Sequence, residues 1–387
     1  MKIFVLLSRF PYPLEKGDKL RAYYQLKELS KRHEIHLHTL TDQEIKSEWK
    51  KELEAFCTSV TIYKLSKPLL YWNTLKQTFS DKPFQIGYFY QLGIQRKIKA
   101  RLAELNVDHI YCQLIRTAEY VKNVHDTPKT IDYMDALSKG MFRRAEINVG
   151  LKKRLFRNEG KRLSEYENRI FDYFNHHSII SEQDRELINH PNKAEIRIIE
   201  NGISEDFFDY KSTPENNYDL LFTGNMNYPP NIECSEFIVE QILPILEEKN
   251  TVLLSGASPN QRIINLKSDQ VTVSGWVDDI RDSYAAAKIF VAPLFIGTGL
   301  QNKLLEAMAM GIPCITTSLA NNALKAKHGE SILVANTAKE FKQQIEALQN
   351  DTALYQKIAD NGKNYVRNSY SWEQSVQKLD SLFSVRE

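Results

Sequence analysis

At 387 residues the chain exceeds one ordinary hydrophobic core and suits two domains of average size. Its 51 lysines and arginines nearly cancel 49 aspartates and glutamates, which excludes nucleic acid as the main partner and leaves only local basic surface. Cys57, Cys112, Cys234 and Cys314 are scattered and form no CxxC pair, which excludes a disulfide framework or cysteine-held metal and suits a reducing cytoplasm.

In chain order, short apolar runs of strand length alternate with longer amphipathic stretches, the signature of βαβ units and parallel sheets. Met1 leads directly into the first run, without the cationic start and cleavage site of a signal peptide, and no later run reaches the roughly 18 apolar residues of a bilayer span. Strands are predicted at 3–7, 35–39, 60–64, 109–112, 130–132 and 177–180, with an amphipathic helix over 19–32. The polar stretch 204–218, with a proline and two adjacent asparagines, reads as a linker. A second series follows at 220–223, 252–255, 271–274, 289–292 and 313–317. The expected layout is an α/β chain of two doubly wound, Rossmann-like domains, 1–206 and 207–370. A final helical stretch, 371–387, ends the second domain or returns to the first. Ligands of such sheets sit beyond the carboxyl ends of the strands, so the cleft between the domains is the expected site.

The segment 293–317, PLFIGTGLQNKLLEAMAMGIPCITT, reads as strand, glycine loop, helix, turn and strand. Gly297 and Gly299 flank Thr298 and precede a helix that begins near Gln301; unobstructed amides and the helix dipole there suit a diphosphate. Glu306, placed about two turns into the helix, can accept hydrogen bonds from two vicinal hydroxyls such as those of a ribose. Lys303, on the same side, can meet phosphate charge. A plain strand-to-helix crossover with a solvated Glu and Lys fits the same pattern.

This segment resembles the donor-binding signature of glycosyltransferase family 4. Leu305 to Pro313, LEAMAMGIP, matches the second half of that signature, whereas Thr298 stands where the first glutamate of its pair lies, eight residues before Glu306. The resemblance implies that Glu306 holds the nucleotide ribose and that the Gly299 and Leu300 amides approach the diphosphate and sugar. Residues 178–203 resemble the family's strand ending in Ser-Glu, its helix and the strand closing near Asn201-Gly202. In 221–231, LFTGNMNYPPN, the family's diphosphate-neutralising Arg and Lys are replaced by Gly224, Asn225, Met226 and Asn231, so Lys303 is expected to supply that charge. The wording of this stretch, with GTGLQNK at 297–303, is similar to a subgroup associated with bacterial exopolysaccharide assembly. In VSGWV, 273–277, the backbone near Trp276 and Val277 is expected to read the base; packing of Trp276 at a domain edge is the other reading.

Residues 8–18, SRFPYPLEKGD, resemble the family's first glycine-rich loop beneath the transferring sugar, with Gly17 retained and Asp18 as a catalytic candidate or as the N-cap of the next helix. Gln113 and Arg116 follow the fourth strand, where relatives face the donor sugar, and Asp132 and Asp135 end the next as candidate acceptor-side carboxylates. No histidines show metal-ligand spacing, and His176-His177 reads as ordinary surface before a strand. The family resemblance implies a GT-B architecture and a retaining, metal-independent transfer from a UDP- or GDP-sugar, with no cofactor, to a glycan, lipid-linked saccharide or small metabolite. A non-catalytic nucleotide-sugar-binding scaffold and a GT-B epimerase are the alternatives. A nicotinamide oxidoreductase is disfavoured, because no GxGxxG follows the first strand. The basic stretch 139–162 reads as a solvated helix face or as a contact with the inner face of the plasma membrane, where an otherwise cytoplasmic protein would rest.

Overall fold

The computed structural model describes residues 1–14, 16–77, 80–146, 148–210, 217–296 and 299–384. The chain divides into two compact units. One comprises Met1–Glu200 with the stretch from Trp372 onward; the other comprises Asn201–Ser371.

In the first unit β1 (Lys2–Leu7) is apolar along nearly its whole length, as a strand covered on both faces must be. Ile3, Val5 and Leu7 enter one buried cluster and Phe4 and Leu6 the other, which is the two-residue period of a pleated strand. Six further strands are parallel to it: β2 (Glu34–Thr41), β3 (Ser59–Lys64), β4 (His109–Gln113), β5 (Lys129–Asp132), β6 (His176–Ile179) and β7 (Arg197–Ile198). Their order, β3-β2-β1-β4-β5-β6-β7, reverses direction between β1 and β4, where a doubly wound sheet opens its ligand crevice.

The helix Gly17–Leu29 lies on the Ile3–Val5–Leu7 face and is joined there by the last helix, Trp372–Phe383, through Val376, Leu379, Leu382 and Phe383. Trp372 stacks on Tyr24 at 5.1 Å, Ser375 Oγ donates to the Glu200 carbonyl, and His33 Nε2 pairs with Asp380 at 2.7 Å. The C-terminal helix therefore completes the first unit. Beneath the sheet edge, fully buried Arg21 forms an ion pair with equally buried Asp132 at 2.6 Å, and the Tyr111 hydroxyl reaches the same carboxylate. This pairing, with its added hydrogen bonds, is what permits two charges in an apolar interior.

The second unit repeats the plan with β8 (Tyr218–Thr223), β9 (Val252–Ser255), β10 (Val271–Gly275), β11 (Ala287–Ala292), β12 (Cys314–Thr316) and β13 (Leu333–Val334), ordered β10-β9-β8-β11-β12-β13 and parallel throughout. Its switch point lies between β8 and β11. The break between the units comes ahead of the expected 206/207 boundary because Ile203 and Phe208 are buried in the second core and the Ile203 amide donates to the Tyr370 carbonyl at 2.7 Å.

Three expectations are corrected. The helix after the first loop begins at Gly17, so Asp18 lies inside its first turn and does not cap it. His176 and His177 lie within β6; His177 is buried, stacked on Phe171 at 3.7 Å and bonded to the Phe171 carbonyl at 2.9 Å. The helix predicted over 19–32 ends at Leu29.

Candidate functional site

At the carboxyl edge of the second sheet, β8, β9 and β10 deliver Gly224, Gly256 and Gly275 side by side, with φ of +155°, +142° and +74°. The Gly224 amide donates to Ser255 O at 3.0 Å and the Gly256 amide to Gly275 O at 3.1 Å. A Cβ on Gly256 would stand 1.9 Å from the Gly224 carbonyl oxygen, and one on Gly224 only 2.6 Å from Asn231 Nδ2 and 2.9 Å from Lys303 Nζ. Glycine at these two positions is thus a steric requirement of a floor on which Lys303 rests.

Beyond β11 the chain passes through Gly299, Leu300 and Gln301 into the helix Asn302–Ala309. Gly297 and Thr298 lie outside the described residues. Leu304, Leu305, Ala307, Met308 and Ala309 are buried, so the helix turns its other face, with Lys303 and Glu306 one turn apart, to the sheet edge. Glu306 is the fifth residue of this helix, nearer its start than the two turns expected. Among the described residues no side chain caps the helix start; the Gln301 side chain instead donates to the Gly299 carbonyl at 2.9 Å. The first helical amides and the positive end of the dipole are thus available to an anion. A Cβ on Gly299 would meet nothing within 4 Å, so the backbone there is open to close approach.

The half-buried Lys303 ammonium donates to Asn231 Oδ1 at 2.6 Å and lies 4.4 Å from the Phe222 ring centre. Asn231 is itself held by its Nδ2 donating to Asn225 O at 2.9 Å. Burial pulls the Lys303 ammonium down to about 8, because the neutral Asn231 amide and the ring only partly replace water around the charge. Glu306 accepts at Oε2 from the Tyr284 hydroxyl at 2.8 Å, and Tyr284, completely buried, shares a second hydrogen bond of 2.8 Å with Thr223 Oγ1. Burial raises the Glu306 carboxyl above the usual range, while the Tyr284 bond and Lys303 act in the opposite direction. The result is a carboxylate oriented from behind by a phenol, with an oxygen left to accept from hydroxyls, next to a cation poised for a phosphate.

Tyr284 and Thr223 carry no motif and were not legible in the sequence. Nor was the hydroxyl chain Ser274–Ser255–Ser283, at 2.9 and 2.6 Å, that lies behind the same edge. Tyr284→Phe should leave the fold intact and weaken diphosphate-nucleotide affinity about fivefold to tenfold, less than the loss of a direct hydrogen bond to a charged group, because the Tyr284 bond orients Glu306. Calorimetry on both proteins checks this.

Trp276 is 63 % exposed and Val277 beside it is half-buried. Asp279 caps the following helix, Ile280–Ala285, accepting from the Arg281 amide at 3.0 Å.

In the first unit the candidates cluster at the carboxyl ends of β1, β4 and β5. Asp18 pairs with Arg9 at 2.9 Å, and its carbonyl accepts from Gln113 Nε2 at 3.1 Å. Gly17, exposed at the helix start, has open space where a Cβ would be. Arg116 donates to Gln85 Oε1 at 2.7 Å and stacks over Phe89; burial lowers it to about 10. Leu114 and Met134, just past β4 and β5, hold φ of +64° and +61°, a conformation costly for such side chains and typical of positions that serve a site. Asp135 follows Met134 with an exposed side chain, and crowding by protein together with nearby Asp184 raises its carboxyl to about 6.

Comparison with known proteins places this geometry. Residues 217–351 match the family model for Glycosyl transferases group 1. Over 99 % of both chains the protein is 23 % identical to an uncharacterized 44.6 kDa protein in the cps region of Klebsiella pneumoniae. Over 39 % of this chain and 40 % of the other it is 25 % identical to the Escherichia coli UDP-Gal:alpha-D-GlcNAc-diphosphoundecaprenol alpha-1,3-galactosyltransferase. Anabaena HepE, solved in complex with UDP-glucose, superposes with a TM-score of 0.69 at 16 % identity, covering 99 % of this chain and all of that one. The chain therefore has the GT-B fold of glycosyltransferases, and its residues 217–351 match the model of Glycosyl transferases group 1.

Proposed function

We propose that this glycosyltransferase moves a hexose from a UDP-sugar to a saccharide acceptor of surface-polysaccharide assembly, with retention of anomeric configuration and without a metal ion. The observation that carries the reading is the Tyr284–Glu306–Lys303 arrangement: a carboxylate one helical turn from a half-buried cation, beside a helix start that the Gln301 side chain does not cap. Glu306 holds the two ribose hydroxyls, Lys303 and the first helical amides take the diphosphate, and the chain near Trp276 and Val277 meets the base. The UDP and UDP-glucose complexes of HepE favour uridine over guanosine. The cps-region relative and the transferase acting on a diphosphoundecaprenol-linked sugar favour a glycan or lipid-linked acceptor.

Retention rests on the family resemblance and on the chemistry that follows from it. As the glycosyl–phosphate bond breaks, charge grows on the leaving diphosphate, where Lys303 and the helix dipole stabilise it. The departing phosphate accepts the acceptor hydroxyl's proton on the same face, so no protein nucleophile is needed. Asp18, Gln113, Arg116 and Asp135 are assigned to the sugar and acceptor side, where Asp135 carries its charge only above about pH 6.

The test is binding of UDP, GDP and ADP and their common sugars in the presence of EDTA, followed by NMR of the glycoside formed from the preferred donor. Selective UDP-sugar binding and a product with the donor's anomeric configuration support the reading. An inverted product ends the retaining assignment, and binding without turnover over an acceptor panel leaves a nucleotide-sugar-binding scaffold.

A further inference from the structure

We infer that the helical hairpin Leu137–Glu146 and Gly150–Phe171 is a docking element for an anionic phospholipid surface. The inference stands on the first unit alone and does not depend on the transfer reading.

The two helices cross closely near the base of the hairpin, where a Cβ on Gly160 would stand 2.9 Å from the Phe142 ring. Beyond that crossing the second helix leaves the body of the protein. Val149, Leu151 and Leu155 are 85 %, 73 % and 49 % exposed, whereas Leu163, Tyr166 and Ile170, further along, are buried. Aliphatic side chains this exposed at a hairpin tip leave apolar surface uncovered among the described residues, so its burial is available to a partner. Around them Lys152, Lys153, Arg154 and Arg157 are exposed and engage in no ion pair among the described residues. The nearest acid on that helix, Glu159, points inward and accepts from the Phe84 and Gln85 amides at 2.9 and 3.1 Å, so it neutralises none of them. Leu151, Arg154, Leu155, Arg157, Asn158 and Lys161 recur at helical spacing along one open groove of ≈ 450 Å³.

A second exposed face is tied to the hairpin. The helix Lys67–Lys76 buries only Leu70 and leaves Tyr71, Trp72 and Leu75 at 78 %, 65 % and 59 % exposure, and the Gln77 carbonyl at its end accepts from Arg162 at 2.8 Å. Aliphatic anchors ringed by unspent cations, with Trp and Tyr nearby, match a negatively charged headgroup layer over hydrocarbon. A nucleic acid would use the cations and aromatics but leave the valine and leucines exposed. Among the described residues no helix is long and apolar enough to cross a membrane, so the contact is a surface one.

The experiment is flotation of the full chain with phosphatidylcholine vesicles, with and without phosphatidylglycerol, at low and high salt. Binding is expected only with phosphatidylglycerol and is expected to fall as salt rises. The double variant Lys153→Glu/Arg154→Glu should bind at least on the order of 100-fold more weakly, each cation near such a surface contributing about a fivefold factor and each reversal adding a comparable repulsion. Leu151→Ser/Leu155→Ser should bind several-fold more weakly at unchanged charge. An unchanged thermal midpoint in both variants shows that the fold is retained; Lys152→Gln/Arg157→Gln replaces a charge variant that loses it and should also bind more weakly, whereas the reversals Lys97→Glu/Lys99→Glu on another helix are expected to leave flotation unaffected. Equal flotation with pure phosphatidylcholine overturns the inference, as does a charge-reversed hairpin that still floats. Insensitivity to the leucine substitutions combined with equal binding of an oligonucleotide assigns the patch to polyanions instead. Self-association abolished by the leucine substitutions, without vesicle binding, assigns it to a second copy of this chain.

Discussion

Glu306→Ala is expected to lower UDP and UDP-sugar affinity on the order of 100-fold, with little change in unfolding midpoint. A hydrogen bond to a charged group contributes about 1.5–3 kcal/mol, and this carboxylate can accept two from a vicinal diol. Removing it leaves both hydroxyls to water at a site already shaped around them. The fold should tolerate the change because the side chain is only half-buried and Tyr284, its one side-chain hydrogen-bond partner among the described residues, retains Thr223. Glu306→Gln should fall between wild type and Ala, since an amide keeps one acceptor but lacks the charge. Combined with Tyr284→Phe, the Ala variant should lose little more than it does alone, because the shorter bond of the Tyr284 hydroxyl, 2.8 Å to Glu306 against 3.3 Å to the Lys303 carbonyl, ends on the side chain already removed. Isothermal titration of UDP into the four proteins checks each point. Undiminished affinity in Glu306→Ala would remove the ribose assignment.

How much of this was legible follows from which interactions are local. β1 could be read because a doubly covered strand needs an unbroken apolar run, and β8, β9 and β11 for the same reason. β7 and β13, each only two residues long, lie at sheet edges, where a short strand carries no periodicity to detect. The helix over 19–32 was read past its end because Ser30, Lys31 and Arg32 continue the polar phase of the pattern without a breaker. The C-terminal helix showed its apolar stripe, but its place on the first unit depends on Tyr24, His33 and Glu200, which lie far away in sequence.

The site divides along the same line. Lys303 and Glu306 lie on one helix, and their three-residue spacing already places them on one side of it. Tyr284 reaches Glu306 from a different helix 22 residues earlier, and only the sheet brings the two together. Gly256 reads as an ordinary glycine after a strand, and its necessity emerges only when the Gly224 carbonyl stands against it. Of the two roles that the sequence leaves open for Asp18, catalytic group or cap, the cap fails because the helix begins ahead of it, at Gly17, and its carboxylate pairs with Arg9. His177 misleads in the same way: a polar residue in an apolar strand reads as surface until Phe171 covers its ring.

Lys303→Met is expected to lower kcat on the order of 10²–10³, more than it raises KM. Asn231 and the Phe222 ring already hold the ammonium in place, so on the proposed assignment of the diphosphate its charge is oriented before any donor binds. In the ground state the diphosphate charge is spread and partly hydrated, whereas in the transition state it concentrates on the departing oxygen. The cation therefore contributes most at the transition state, and its loss should appear mainly in kcat. The pH dependence gives a second readout. The free-enzyme ammonium loses its proton near 8, below the ordinary lysine value. Cationic stabilisation is thus full below about pH 7 and falls as pH rises through 8, so kcat/KM should decline on the alkaline side with an apparent pKa near 8. Bound diphosphate stabilises the ammonium and moves it upward, so the decline in kcat should begin at a higher pH than that in kcat/KM. In Lys303→Met both profiles should be flat across this range, whereas Lys303→Arg should restore charge without the alkaline decline. A methionine variant that keeps the wild-type alkaline limb would place the titrating group elsewhere and remove Lys303 from the reaction.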